Sequence, residues 1–389
     1  MTESLLGGLE GNGRPQDIAE LCIALEVLYN SIGRYREGLA VAERAAALAE
    51  ASGDVAALAR AETGRGIDLL ALGRLEEGID ALESVIAVGE VADDLYNLPR
   101  ALEMTAVGYL ARGQPKRSLE VQQQSVALQE RIQVPWGIGL ALGGLGGIYR
   151  VLGDWDRAGE YLERGLDLCR TPPFPSWAIY PLVGLARLRI EEGKLEKASA
   201  LIEEATDIAR QNGNLWAIGA GELLRAEVDL LEGRADPART RVESVLGRLD
   251  PEEWQVLDAL PTLAAAYEAG GNVSKAEQTI RKAIERARDR NVVLSLVPAL
   301  VVRGRLMAAQ EDWASAERDF EEAVHIAREM PYPYCEAQGL YEAGNACARR
   351  GDVQRARVSL EQALAIFQRL GAQPLVERTE RALGELKEG

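Results

Sequence analysis

Catalysis near neutral pH usually depends on a side chain that exchanges a proton there, most often a histidine. The 389-residue chain has one histidine, His325, in the segment EEAVHIARE, which predicts a place on an exposed helix surface. The acidic pairs Glu76–Glu77 and Glu321–Glu322 also fall on predicted helix surfaces, where a solvated face is the default. These patterns predict that the chain is not an enzyme.

The cysteines give no sign of a metal or redox centre. Cys22, Cys169, Cys335 and Cys347 are too few and too scattered for a disulfide scaffold, which predicts a reducing, cytoplasmic location. No cysteine and histidine grouping has the spacing of metal ligands, so we expect neither a metal nor another cofactor.

The charge balance limits the classes of partner. The chain has 61 acidic and 44 basic residues, a formal net charge of −17, which argues against direct nucleic-acid binding and against an anionic membrane surface. No stretch approaches the roughly 18 apolar residues of a membrane span, and MTESLLGGLEGNGRP does not read as a signal peptide.

Tryptophan is the residue type whose spacing indicates binding. Trp136, Trp216 and Trp254 lie at the same place in units of about 40 residues, two units and one unit apart, and Trp177 lies one place out of phase with them. On one interpretation these rings form an aromatic rail that holds a peptide by stacking and apolar burial. On the other interpretation they pack between successive helices. The remaining two tryptophans are predicted to be core residues.

The same interval is visible in a turn motif, which divides the chain into units. The motif reads GRYREG at 33, GRLEEG at 73, GQPKRS at 113, GDWDRA at 153, GKLEKA at 193, GRADPA at 233, GNVSKA at 271, EDWASA at 311 and GDVQRA at 351. Apolar residues at helical spacing flank each motif, which predicts a first helix, a tight turn and a second helix. The residues after four of the turns are predicted to cap the second helix: Asp154, Asn272, Asp312 and Asp352.

Small residues recur seven places before eight of the nine turn residues and five places after all nine, as at Gly146 and Ala158. Such positions let two helices approach closely. We therefore expect an extension at 1–15, nine repeats at 16–372, and a capping helix and tail at 373–389. Because each unit of such an array contacts mainly its neighbours, removal of a whole repeat should reduce stability smoothly.

These units resemble the tetratricopeptide repeat family, although their period is 40 residues rather than 34. The match is clearest in repeat 4, through Leu145, Gly146, Tyr149, Gly153, Asp154, Trp155 and Ala158. The resemblance implies an all-α, right-handed superhelical solenoid of about nine repeats with a C-terminal capping helix. The extended repeats are similar to sensor arms of LuxR-type and maltose-activator-like STAND signalling regulators. This implies a non-catalytic sensor or scaffold arm; the alternative is a protein-assembly adaptor without ligand sensing.

The resemblance also places the ligand surface on the first helices, at positions −13, −10, −6 and −3 from the turn residue, with −17 added by the longer repeat. The expected partner is a peptide or protein segment, or else a small inducer. The candidate residues at these positions are Tyr96, Arg100, Trp136, Gly143, Gly147, Arg150, Tyr180, Arg187, Trp216, Trp254, Tyr334, Tyr341 and Asn345.

Two features of this surface have two interpretations each. Its arginines suit a ligand carboxylate or phosphate, but the stripe also carries Glu103, Glu227, Asp258 and Glu268, which could neutralise them within the protein. The glycine-rich helix GIGLALGGLGGIYR could leave a hollow for a ligand or allow tight backbone packing.

Repeats 5 and 6 depart from the family at position −4, where they carry Arg189 and Asp229 instead of the usual tyrosine. Because the two positions lie one repeat apart on adjacent first helices, we expect the two side chains to form an ion pair.

Overall fold

The computed structural model describes residues 14–92, 95, 97–170 and 175–388, and within them it contains nineteen α-helices, one short 3-10 helix and no strand. The helices form nine pairs, followed by α19 (Gln373–Glu388), so the predicted all-α solenoid is confirmed. The first helices are α1 (Pro15–Ser31), α3 (Val55–Ala71), α5 (Asn97–Ala111), α7 (Pro135–Leu152), α9 (Ile179–Glu191), α11 (Leu215–Leu231), α13 (Trp254–Ala269), α15 (Val293–Ala309) and α17 (Pro333–Arg350). The second helices are α2 (Tyr35–Ser52), α4 (Leu75–Ala92), α6 (Pro115–Ile132), α8 (Trp155–Cys169), α10 (Leu195–Asn212), α12 (Ala235–Leu246), α14 (Val273–Asp289), α16 (Trp313–Glu329) and α18 (Val353–Leu370).

The turn residues adopt the left-handed conformation that the motif predicts. Gly153 has φ +78°, and Glu311, the one turn residue that is not glycine, has φ +64°. Directly after Gly153, the Asp154 carboxylate accepts a hydrogen bond from the Arg157 backbone N–H at 3.2 Å. Asn272, Asp312 and Asp352 accept the corresponding bond in their repeats, so the four predicted caps are confirmed.

The small residues at the predicted positions allow the two helices of a pair to approach closely. A methyl group on Gly146 would lie 2.5 Å from the Leu162 side chain and 3.0 Å from the Ala158 carbonyl oxygen. The equivalent Gly344 would meet Leu360 at 2.7 Å. No side chain fits at these distances, so these positions are reserved for helix packing.

The first helices form the inner wall of the solenoid. Along the array, each first helix contacts the first helix of the next repeat, and successive second helices of the described residues do not approach as closely. The second helices therefore lie at the larger radius, and the first helices line the concave side.

The solenoid coils tightly enough for repeats five apart to touch. Helix α13 contacts α3, α15 contacts α5, and α17 contacts α7. The start of a later repeat rests on the turn of an earlier one: Val293 lies against Gly113, and Pro333 against Gly153. Arg36 also reaches across to Asp250, with nitrogen–oxygen distances of 2.6 and 3.1 Å. About five repeats therefore complete one superhelical turn, and the second superhelical turn is seated on the first.

No helix among the described residues has both the length and the apolar character of a membrane span.

Candidate functional site

Four aromatic side chains stack along the concave edge of repeats 4 to 6. The ring centroids of Trp136 and Trp177 lie 5.3 Å apart, those of Trp177 and Tyr180 6.1 Å, and those of Tyr180 and Trp216 5.4 Å. The angles between neighbouring ring planes are 12°, 24° and 23°, so each ring stacks on the next one. We refer to these four residues as the aromatic stack.

The starts of the first helices position the stack. Trp136 and Trp216 lie in the first turns of α7 and α11, while Trp177 belongs to the 3-10 helix Pro175–Ala178 that precedes α9. Because of this additional turn, the Trp177 ring stacks on the Trp136 ring although Trp177 is one place away from position −17 of its repeat. Tyr180 and Trp216 are each 38% exposed, and the other two rings are half-buried. The stack therefore offers apolar surface to a ligand.

The aromatic residues at the same phase in repeats 7 and 9 are placed differently. Trp254 packs against a hydrophobic cluster that includes Leu70 and Leu75 of repeat 2. Tyr334 lies 5.6 Å from the Trp155 ring of repeat 4, measured between centroids. Both rings fill the contact between superhelical turns.

The remaining aromatic and polar candidates lie apart from the stack. Tyr341 and Asn345 are half-buried on α17, where Tyr341 packs against a cluster that includes Leu185 and Ala337. Tyr96 lies outside the described residues.

The arginines of the inner wall are neutralised by carboxylates of a neighbouring repeat. Arg150 lies 2.5 Å from Glu191 between guanidinium nitrogen and carboxylate oxygen, and only 14% and 6% of the two side chains are exposed. Burial alone would lower the pKa of Arg150, but Glu191 and Tyr332 raise it above its usual value. Internal neutralisation is thus confirmed for four pairs: Arg60–Glu20, Arg150–Glu191, Arg187–Glu227 and Arg305–Glu268.

Repeats 1 to 3 differ from this pattern. Three carboxyl groups there lie within the electrostatic influence of a single arginine, Arg100. Burial raises the pKa of Glu26 to about 7, that of Asp68 to about 8 and that of Glu103 to about 7, and Arg100 opposes each of these increases. No salt bridge joins Arg100 to any of the three carboxyls. These acids therefore hold their protons near neutral pH.

Asp68 is the most enclosed member of this group. Its side chain has no solvent exposure, and the Asn30 amide donates a hydrogen bond to its Oδ1 at 2.9 Å. The second oxygen, Oδ2, lies beside Gly38 and has no hydrogen-bond partner among the described residues. A protonated carboxyl is the form that such a site tolerates best.

The glycine-rich helix α7 uses its glycines in two ways. Methyl groups on Gly139 and Gly144 would meet neighbouring atoms at 2.6 and 2.5 Å, so these residues, like Gly146, serve packing. By contrast, a methyl group on Gly143 would meet only Pro181 at 3.7 Å, and one on Gly147 would meet no atom within 4 Å. Tight backbone packing is thus confirmed for α7, and the space beside Gly147 is open.

The comparisons with known proteins support the helical-repeat fold. Residues 137–211 match the family model described as tetratricopeptide repeat, and residues 294–331 match the model of anaphase-promoting complex subunit 5. No curated protein matches the chain. The predicted resemblance to tetratricopeptide repeats is confirmed.

Solved structures with the same tetratricopeptide-type architecture cover most of the chain at low sequence identity. NprR in complex with its cognate peptide NprX is 13% identical, with 85% of this chain and 99% of that chain covered and a TM-score of 0.53. The human IFIT1 dimer with PPP-AAAA is 17% identical, with 94% and 90% covered and a TM-score of 0.51. A STAND protein with a tetratricopeptide repeat sensor from Pyrococcus horikoshii is 17% identical, with 90% and 54% covered and a TM-score of 0.47, so the chain spans about half of that protein.

The predicted ion pair between Arg189 and Asp229 is wrong. Arg189 bonds to Glu163 of the preceding second helix and to Glu192, both at 2.7 Å. Asp229 instead accepts hydrogen bonds from Arg234 and Arg241. Position −4 of a tetratricopeptide first helix points towards the second helices and not along the row of first helices, so the two residues face different neighbours.

The carboxyl groups of repeats 1 to 3 were not all recognised as candidates from the sequence. Glu26 occupies the position that is small in the other eight repeats, and this substitution could have indicated a buried acid. Asp68 lies outside the stripe of candidate positions, and nothing in its local pattern distinguishes it from an exposed acid.

The possible sites away from the inner wall have little chemistry. The His325 side chain is 70% exposed and lies 3.5 Å from Glu329, as expected for a surface histidine. The described residues contain no group of histidines, cysteines and carboxylates that could hold a metal ion. Two outer clefts of about 250 and 640 Å³ lie between successive second helices, next to Trp313 and Arg281 respectively.

Proposed function

We propose that the chain is a non-catalytic binding module that holds a peptide, or an exposed segment of another protein, on the aromatic stack of repeats 4 to 6. The observation that carries this proposal is the four-ring stack with two rings 38% exposed. Large rings with few rotatable bonds supply apolar contact area at a low cost in conformational entropy, and such residues commonly dominate peptide interfaces.

The hollow at Gly147 supports the same location. It lies on α7, three turns beyond Trp136 on the concave side, and leaves space that no side chain of the described residues occupies. The similarly folded NprR was solved with its cognate peptide, which supports a peptide as the ligand class. The finer assignment, a cytoplasmic sensor arm of a bacterial signalling or transcription regulator, rests on the sequence resemblance, and an assembly adaptor is its alternative.

The test is a peptide-display selection against the full chain, with a Tyr180→Ala/Trp216→Ala double variant in parallel. We expect peptides to be enriched on the original chain and to lose about tenfold or more in affinity on the double variant, because two stacking contacts are removed. The matched control is Tyr161→Ala, which removes a ring stacked on Tyr149 at 5.4 Å outside the candidate site.

Circular dichroism melting establishes that the variants are folded. If the double variant and the control bind the enriched peptides equally well, the aromatic stack is not the site. If no peptide is enriched while a metabolite raises the melting temperature, the ligand is a small inducer and the proposal is wrong.

A further inference from the structure

The inner wall of repeats 4 to 9 carries more negative than positive charge. Each of its paired arginines is matched by a carboxylate, as described above. Asp258 and Glu342 lie among these pairs, and no arginine or lysine of the described residues reaches either within salt-bridge distance. The surplus on this wall is therefore negative.

Asp258 lies on α13, which packs against α11, the helix that carries the last ring of the aromatic stack. Three residues before it on α13, the Gln255 amide donates a hydrogen bond to the Trp216 carbonyl oxygen at 3.1 Å. Residues three apart share a helix face, so Asp258 lies on the α13 face that meets the start of α11. The Ser295 hydroxyl fixes one oxygen of the Asp258 carboxylate with a hydrogen bond of 2.8 Å.

Asp258 is accessible to an incoming group. The residue is exposed, and desolvation by the surrounding protein raises its pKa.

We propose that this wall selects a cationic ligand, and that an arginine side chain of the bound peptide lies between the aromatic stack and Asp258. A guanidinium stacks on aromatic faces and donates paired hydrogen bonds to a carboxylate, so it matches both features of the site. The net charge of −17 attracts a cationic ligand and repels an anionic one.

This inference rests on the proposed peptide-binding function and names its charge class. The test uses three heptapeptide pools with arginine, citrulline or glutamate at the central position and uncharged residues elsewhere. Each pool is equilibrated by dialysis with the full chain, and the retained peptide is measured by mass spectrometry. We expect the arginine pool to be retained about tenfold more than the citrulline pool, which has the same shape without the charge, and the glutamate pool least.

Asp258→Asn keeps an acceptor for Ser295 and removes the charge. We expect this variant to reduce the preference for arginine over citrulline to about twofold or less, while Glu196→Gln on the exposed side of α10 leaves the preference unchanged. Equal retention of the arginine and citrulline pools, or an unchanged preference in Asp258→Asn, overturns the inference and leaves the proposed function intact. Retention of no peptide from the three pools or the display selection overturns the proposed function itself.

Discussion

The first helices of repeats 1 to 3 and of repeats 4 to 8 belong to the same repeat pattern but treat buried charge differently. Around Arg100, the carboxyl groups of Glu26, Asp68 and Glu103 have raised pKa values. In repeats 4 to 8 each inner arginine is bound to a carboxylate of a neighbouring repeat, as Arg150 is to Glu191. One repeat architecture therefore accommodates acids either by protonation or by ion pairing.

The two arrangements should respond to different disturbances. A paired region is sensitive to loss of one partner, because the remaining charge stays buried. A protonated region is sensitive to pH, because its acids must give up protons that the folded state holds. The following changes test this contrast.

The largest effect is expected from breaking the pair in the second region. Glu191→Ala leaves the Arg150 guanidinium, 14% exposed, without its carboxylate. We expect the free energy of unfolding to fall by about 3–5 kcal/mol, measured by urea denaturation. The double variant Arg150→Met/Glu191→Leu removes both charges and should recover most of this loss; a double variant as unstable as Glu191→Ala would contradict the ion-pair explanation.

The pH dependence should come largely from the first region. Since the folded pKa values of Glu26, Asp68 and Glu103 lie near 7, 8 and 7, above the ordinary values of 4.5, 3.8 and 4.5, the folded state binds more protons than the unfolded state between about pH 4 and pH 8. The free energy of unfolding therefore decreases as the pH rises through this range. We expect a loss of about 2–3 kcal/mol for each of the three carboxyl groups between about pH 5.5 and pH 8.5, measured by denaturation at each pH.

Asp68→Asn is the matched variant, because it retains an acceptor for Asn30 and cannot ionise. Its stability should fall less steeply with pH than that of the original chain. General repulsion within an acidic protein also weakens the fold at high pH. Equal slopes in the two proteins would assign the whole effect to that repulsion and contradict the role of Asp68.

The smallest effect concerns two neighbouring glycines of the second region. Gly147→Ala places a methyl group in open space, so the better helix propensity of alanine should stabilise the chain by up to about 1 kcal/mol. Gly146→Ala places it 2.5 Å from Leu162 and should destabilise by about 1–3 kcal/mol. Thermal melting of the two variants measures the difference, and shifts of the same sign would mean that the hollow at Gly147 is absent.

Local features of the fold could be predicted because they repeat. The turn residues, the capping Asp154 and the packing position of Gly146 each depend on backbone geometry within one repeat, and the 40-residue ladder displays that geometry nine times. The recurrence of tryptophan at position −17 likewise indicated the region in which the aromatic stack is found.

Features that depend on distant repeats could not be predicted in this way. The superhelical pitch is the sum of small rotations between repeats, and no single residue encodes it. Trp254 and Trp136 therefore look equivalent in the sequence, although only Trp254 is covered by an earlier repeat. The direction of the Arg189 side chain was missed for a related reason. The spacing of residues along a helix does not show which neighbouring helix each face contacts.

The contacts between late repeats and the turns of earlier repeats depend on how many repeats lie between them. Gly153 both ends α7 and provides the seat for Pro333, and Gly113 does the same for Val293. If one repeat between seat and occupant were lost, Pro333 would arrive over Gly113, and its partner surface would be the wrong one. A simple nearest-neighbour array tolerates gain or loss of whole units, but here every later repeat would be out of register. Selection on this chain should therefore act on its repeat count as well as on its residues.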